Sequence, residues 1–268
     1  MATPSESVTT ARADDPLPEA LSLVRGATAA GVGLKLLGGL AVRVLCPDFP
    51  PRQRSGQDID LACLSKSRKN VTACLEAAGC EGDRRFNMLN GDRQMYFTAP
   101  SGRPIDVMVD RLDMCHSLDF RGSFGRMPFT IDAMDLLLSK LQIVELNEKD
   151  AHDIVHLLAG VPLPEESGGP EPGAAGPADA WLDAGRFAKL LGADWGWWRT
   201  VTGNLSKLPA LVAERPALVP PAPVRDPLAA ARQLLGIAAA APKGMKWKLR
   251  ANVGDRVRWY ELPEEVAH

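Results

Sequence analysis

The stretch RSGQDIDLAC, residues 54–63, places two carboxylates one residue apart in an apolar run. A carboxylate is costly to take out of water unless it is paired, so Asp58 and Asp60 need a reason to sit on a strand bound for a core. Side chains alternate faces along a strand. The two acids therefore project to one side, while Ile59 and Leu61 anchor the other. A third acid, Asp106, lies in PIDVMVD between Ile105 and Val107, the same apolar frame. The PSG turn between QMYFTA and RPIDVMVD makes a hairpin that can lay this strand beside the first. Three like charges at one sheet edge repel one another unless something neutralises them.

A divalent cation with a preference for hard oxygen ligands is the natural neutraliser, and Mg²⁺ (or Mn²⁺) on a few carboxylates plus substrate phosphates fits this set. Two such ions can clamp the attacking and leaving oxygens of a phosphoryl or nucleotidyl transfer. The plain alternative is that the acids cap strand ends and meet water. Upstream, LKLL (34–37) runs into Gly38-Gly39 and then LAVRVLC, which predicts strand, tight turn and helix. Glycines at that point let backbone N–H groups approach an anion at a helix N-terminus.

Taken in order, LLGGLAV, RSGQDIDLAC and PIDVMVD resemble the signature of the DNA polymerase β-like nucleotidyltransferase superfamily: a GG turn, a DxD strand and a third acid on a neighbouring strand. The later LSKLQIVELNEKDAHDI resembles the AbiEii-type (type IV toxin) branch of that superfamily. Together these motifs cover about residues 30–160. The resemblance implies metal-dependent transfer of NMP from an NTP to an acceptor hydroxyl. Gly38 and Gly39 would cradle the triphosphate, and Asp58, Asp60 and Asp106 would hold Mg²⁺ or Mn²⁺, with Asp106 also helping to activate the acceptor. Lys140 would reach the triphosphate as a point charge, supported by Asp150 and Asp153, and Arg54 and Ser55 would line the nucleotide from the loop before the DxD strand. RNA such as a tRNA end, or a protein, is favoured as acceptor over a small molecule, and a cognate antitoxin is an expected partner. Two positions depart from the pattern. Leu40 stands where Ser or Thr often follows GG, and Asn147 where a basic residue is frequent, with Arg52 and Arg54 as substitute sources of charge.

The implied fold is α/β, with a small mixed sheet of nucleotidyltransferase type flanked by helices and then a mostly α-helical C-terminal domain. Its expected divisions are a disordered lead-in over 1–18, the nucleotidyltransferase domain over 19–160, a Pro/Gly-rich linker over 161–178 and the C-terminal domain over 179–268. That last part carries helical segments and ends in MKWKLRANVGDRVRWYEL, read as a hairpin. Its lysines, arginines and aromatics suit either a nucleic-acid backbone or a solvated basic face over a packed apolar one. WGWWRT (195–200) reads as a core anchor near a helix start.

Composition excludes little. The chain has 268 residues, 46% of them hydrophobic, enough for a real core, and a net charge of -2 that gives no overall bias toward nucleic acid or anionic membrane. Five cysteines without a CxxC pair suggest reduced, buried thiols. With no apolar leader and no membrane-length run, a cytoplasmic location without membrane contact is expected. Two rival functions stay open. One is a catalytically inactive nucleotide- or partner-binding module of the same fold, and the other a zinc hydrolase built on HDIVH (152–156), which sets His152 and His156 on one helix face but has Asp153 where zincins have Glu.

Overall fold

The computed structural model describes residues 15–47, 57–164 and 180–262. Arg52, Arg54 and Ser55, most of the expected lead-in and linker, and the last six residues lie outside the described residues. Within the described parts, a small mixed sheet flanked by helices is present, as the sequence predicts.

Its five strands are β1 (Leu34–Leu36), β2 (Ile59–Cys63), β3 (Glu81–Gly82), β4 (Gln94–Thr98) and β5 (Pro104–Val109), in the order β1-β2-β5-β4-β3. β2 and β5 run parallel and the other neighbours antiparallel. Asp60 faces Asp106 across the β2–β5 register, and Asp106 faces Tyr96 across β5–β4. The alternate residues Ile59, Leu61, Ile105, Val107, Met95 and Phe97 are all buried. A slip of one residue would send Asp60 or Asp106 into that core, so the apolar pattern fixes the register that brings the acids together.

Helices α1 (Pro16–Ala29) and α3 (Arg68–Ala77) cover the apolar face, and the Thr72 hydroxyl of α3 donates to the Met95 sulfur at 3.7 Å. α1 begins where its chemistry allows, with Asp15 as N-cap and Pro16 just inside. Asp15 also pairs with Arg43 at 2.6 Å, which ties α1 to α2 (Gly38–Leu45). After α4 (Arg84–Asn90) and the hairpin of β4 and β5, Asp110 adopts a left-handed φ of 63°. Its N–H donates to Cys63 O and its carboxylate accepts from Ser65 N. This second acid of PIDVMVD therefore stitches strand ends together. A ribbon of β6 (Arg111–Asp113) and β7 (Ser117–Asp119) follows.

Two helices then complete the site side of the molecule, α5 (Ala133–Leu141) and α6 (Glu148–Gly160). The sequence offers Thr130 or Asp132 as the α5 cap; Asp132 accepts from the Met134 and Asp135 N–H groups, while Thr130 bridges Leu36. Beyond them α7 (Ala184–Ala193), α8 (Trp195–Glu214) and α9 (Pro227–Ala240) pack against one another, with α8 on α5 and α9 on α6. Their buried side chains join those of the sheet in one cluster that includes Trp197. Trp195 is buried as well, so these two tryptophans of WGWWRT serve the interior as expected.

The C-terminal hairpin is not formed. Met245–Val253 is helix α10, stopped by Gly254 at φ 61°. The alternation K-W-K-L-R imitates a strand over five residues, but Met, Lys, Leu, Arg and Ala are good helix formers, and the Trp247 indole N–H docks the helix by donating to Leu191 O at 2.9 Å. None of the five cysteines forms a disulfide, and four of them are buried. No helix among the described residues is long and apolar enough to cross a membrane.

Candidate active site

One face of the sheet is apolar and covered; the other carries Asp60, Asp106, Tyr96 and Gln94, all partly exposed. Asp58 stands just before β2 and is exposed. Gln94 donates its amide to Asp106 Oδ1 at 2.5 Å. Burial pushes the Asp60 carboxyl up to about 6; the Lys140 and Lys149 ammonium groups pull against this, while Asp106 and Asp58 add to it. The Tyr96 hydroxyl is raised in turn by burial and by the Asp106, Asp58 and Asp83 charges. These acids share one electrostatic environment.

Gly38 opens α2 at φ 64°, directly against Asp60. A Cβ added there would overlap Asp60 Oδ2 and lie 2.9 Å from its Cγ. Only glycine fits a left-handed position this close to a side chain. Gly38→Ala should cost about 1–3 kcal/mol from backbone strain and displace the Asp60 carboxylate, which a lowered midpoint in urea unfolding would register. Gly39 is buried in the first turn of the same helix.

Lys140, in the last turn of α5, pairs with Asp153 at 2.9 Å and Asp150 at 3.3 Å, both on α6. Burial lowers the lysine's pKa, but Asp153, Asp150 and Asp60 outweigh it and the pKa ends raised, so the ammonium stays charged. Asn147 is the α6 N-cap, its side chain accepting from Asp150 N at 2.9 Å. A basic residue there could not accept that bond, so the departure at this position has a local structural role. Around α5, Asp135 is held by Ser123 and by Arg186 of α7, and Asn204 of α8 donates to Leu141 O and Ile143 O at 3.0 and 2.7 Å. The C-terminal helices thus fix the helix that presents Lys140.

The structure brings together Asp60, Asp106, Gly38 and Lys140 and places Asp58, Asp150 and Asp153 around them; Arg54 and Ser55 are outside the described residues. Sequence reasoning missed Lys149, exposed and close enough to act on the Asp60 charge. Its signal was the lysine of NEKD, one residue before the Asp150 already chosen. It missed Gln94 as well, because a partner across strands emerges only with the register.

Among the described residues no group of three or more His, Cys, Asp or Glu side chains is arranged to hold a metal ion. Mg²⁺ is usually held by one or two carboxylates, its other ligands being water and substrate phosphates. The facing Asp60 and Asp106 and the raised Asp60 carboxyl meet that smaller requirement.

His152 and His156 pack ring to ring at 4.4 Å, without a metal-binding group around them among the described residues. Burial, then the His152 charge, holds His156 down to about 4, against the opposing effect of Asp153. A histidine whose folded pKa lies below its unfolded value contributes stability above about pH 6.5 that is lost as pH falls toward about 4, roughly 3 kcal/mol in full. The destabilisation caused by His156→Gln should therefore shrink between pH 7.5 and pH 4.5 in urea titrations.

A cleft of about 680 Å³ is lined by Arg93, Arg111, Arg258, Asp113, Glu261 and Trp259 among others, and by none of Asp58, Asp60 and Asp106. No protein-family model matches the chain, and no curated protein does. Among solved structures the chain is similar to the crystal structure of ANT(2″)-Ia in complex with adenylyl-2″-tobramycin, at 13% identity and a TM-score of 0.36, over 53% of this chain and 86% of that one. It is also similar to an antigenic nucleotidyltransferase-like protein from Paracoccidioides brasiliensis, at 14% identity and a TM-score of 0.37, over 87% of this chain and 96% of that one.

Proposed function

We propose that the chain is a metal-dependent nucleotidyltransferase that moves NMP from an NTP to an acceptor hydroxyl. The observation that carries this reading is the register that sets Asp60 opposite Asp106 on the open face of the sheet, with Gly38 holding the start of α2 against Asp60. Asp60 and Asp106, with Asp58 beside them, would hold Mg²⁺ or Mn²⁺; when bound, such an ion stabilises developing phosphate charge and lowers the pKa of the acceptor hydroxyl. Gly38 and Gly39 offer backbone N–H groups to the triphosphate at the α2 N-terminus. Lys140 supplies fixed positive charge beside Asp60, braced by Asp150 and Asp153, and the exposed Lys149 supplies a second. Asp106 receives the acceptor proton, the acceptor oxygen bonds the α-phosphorus as its bond to the leaving pyrophosphate breaks, and catalysis is chiefly positioning and charge stabilisation.

The motifs of α5 and α6 favour a toxin-type enzyme with an RNA or protein acceptor and a cognate antitoxin. A second reading, an inactive nucleotide-binding module, draws on the lack of a three-ligand metal group among the described residues. Incubation with NTP labelled in the α-phosphate, Mg²⁺ and total RNA or lysate separates the two. Transfer of label that stops without Mg²⁺ and in Asp58→Ala supports the enzyme; bound NTP with no label transferred to any fraction supports the module.

A further inference from the structure

We propose that Gln94 is the positioning residue for Asp106, and that it sets how this carboxylate meets the metal and the acceptor hydroxyl. The inference rests on the nucleotidyltransferase reading. Gln94 pairs with Met108 in the register of β4 and β5, and Asp106 lies two residues before Met108 on the same face of β5. Such diagonal neighbours are about 7–8 Å apart, within reach of a long side chain. The glutamine spans the gap, and its amide nitrogen donates to Asp106 Oδ1 at 2.5 Å.

The residue type matters. A lysine here would orient Asp106 but also neutralise it and compete with a cation; a glutamate would repel it; an asparagine is one methylene short. Glutamine alone among these both reaches Asp106 and donates a hydrogen bond without adding charge, so it fixes the direction of one carboxylate oxygen and leaves the negative charge that a metal needs. Gln94 begins β4 and is paired with Met108 of β5, so its backbone is held by the sheet independently of any ligand. Metal ligands are commonly oriented by partners of this kind, whose loss costs about 10–100-fold in metal affinity or activity.

Gln94→Met keeps the length and removes only the donor; Gln94→Glu keeps the length and reverses the interaction. Both are measured for melting temperature, for Mn²⁺ binding by the paramagnetic resonance signal of the free ion, and for kcat and KM of label transfer. The expected result for Gln94→Met is a melting temperature close to that of the parent, Mn²⁺ binding weakened about tenfold or more, and a matching fall in kcat with the KM for NTP nearly unchanged. Gln94→Glu should lower kcat at least as far. The proposal is overturned if Gln94→Met keeps Mn²⁺ affinity and kcat within about twofold of the parent, or if both fall only together with the melting temperature, as a purely structural role requires. If the parent protein transfers no label while Gln94→Met still weakens Mn²⁺ binding, the role of Gln94 stands and the assignment of the reaction fails.

Discussion

Asp60→Asn is expected to abolish nucleotide transfer and, without divalent cations, to leave the protein at least as stable as before. Asparagine keeps the shape and removes the charge that would hold a cation between β2 and β5. A loss on the order of a thousandfold in kcat corresponds to about 4 kcal/mol of transition-state stabilisation, the scale expected when a metal clamp loses a ligand. The stability side has its own sign. Burial holds the Asp60 carboxyl at about 6, above its ordinary 3.8, so the folded state binds the proton more tightly than the unfolded chain. Stability contributed by the protonated form is present below about pH 4 and lost as pH rises through about 6. Parent and Asp60→Asn should therefore melt at similar temperatures at pH 4 and diverge by pH 7, the variant higher. Added Mg²⁺ should narrow that gap, because it stabilises only the parent. Asp58→Asn, at the exposed position two residues earlier, should lose activity as well.

Part of this site is legible in the sequence alone. The alternation D-I-D-L-A-C fixed which side chains share a face, and the apolar frames around Asp60 and Asp106 fixed that both belong to strands of one core. The chain also marked its own punctuation: Gly38-Gly39 at the start of α2 and Asp132 before α5. What stayed hidden depends on which elements end up adjacent. Lys149 reaches Asp60 only because α6 folds back on α5, and Gln94 meets Asp106 only in the register of β4 on β5. The α10 segment was misread for a different reason. Over five residues a period of two is satisfied by a basic-apolar alternation that an α-helix also tolerates, and what distinguishes them is the Trp247 anchor on Leu191, a tertiary contact.

Lys140→Met should be the most destabilising single change at the site, and a double variant can divide its structural role from its chemical one. Asp153 is fully buried, and the ammonium 2.9 Å away is paired with it and with Asp150. Removing one partner of a buried ion pair leaves the other charge poorly compensated, at about 3–5 kcal/mol. Replacing Lys140 and Asp153 together by neutral groups costs less, because the fully buried Asp153 charge is gone and the remaining Asp150 lies in the first turn of α6, where a helix N-terminus favours negative charge. Lys140→Met/Asp153→Asn should then recover most of the melting temperature lost in Lys140→Met. Activity should behave differently. If Lys140 only braced α5 against α6, the double variant would regain label transfer along with stability. The Lys140 charge, however, also reaches Asp60, and a triphosphate arriving at Gly38 would bring several negative charges into the same space. Stability restored without activity, with the KM for NTP raised in both variants, is the expected outcome. Recovery of both would reduce Lys140 to a strut and move the triphosphate contact to Lys149, where Lys149→Ala would then carry the rise in KM.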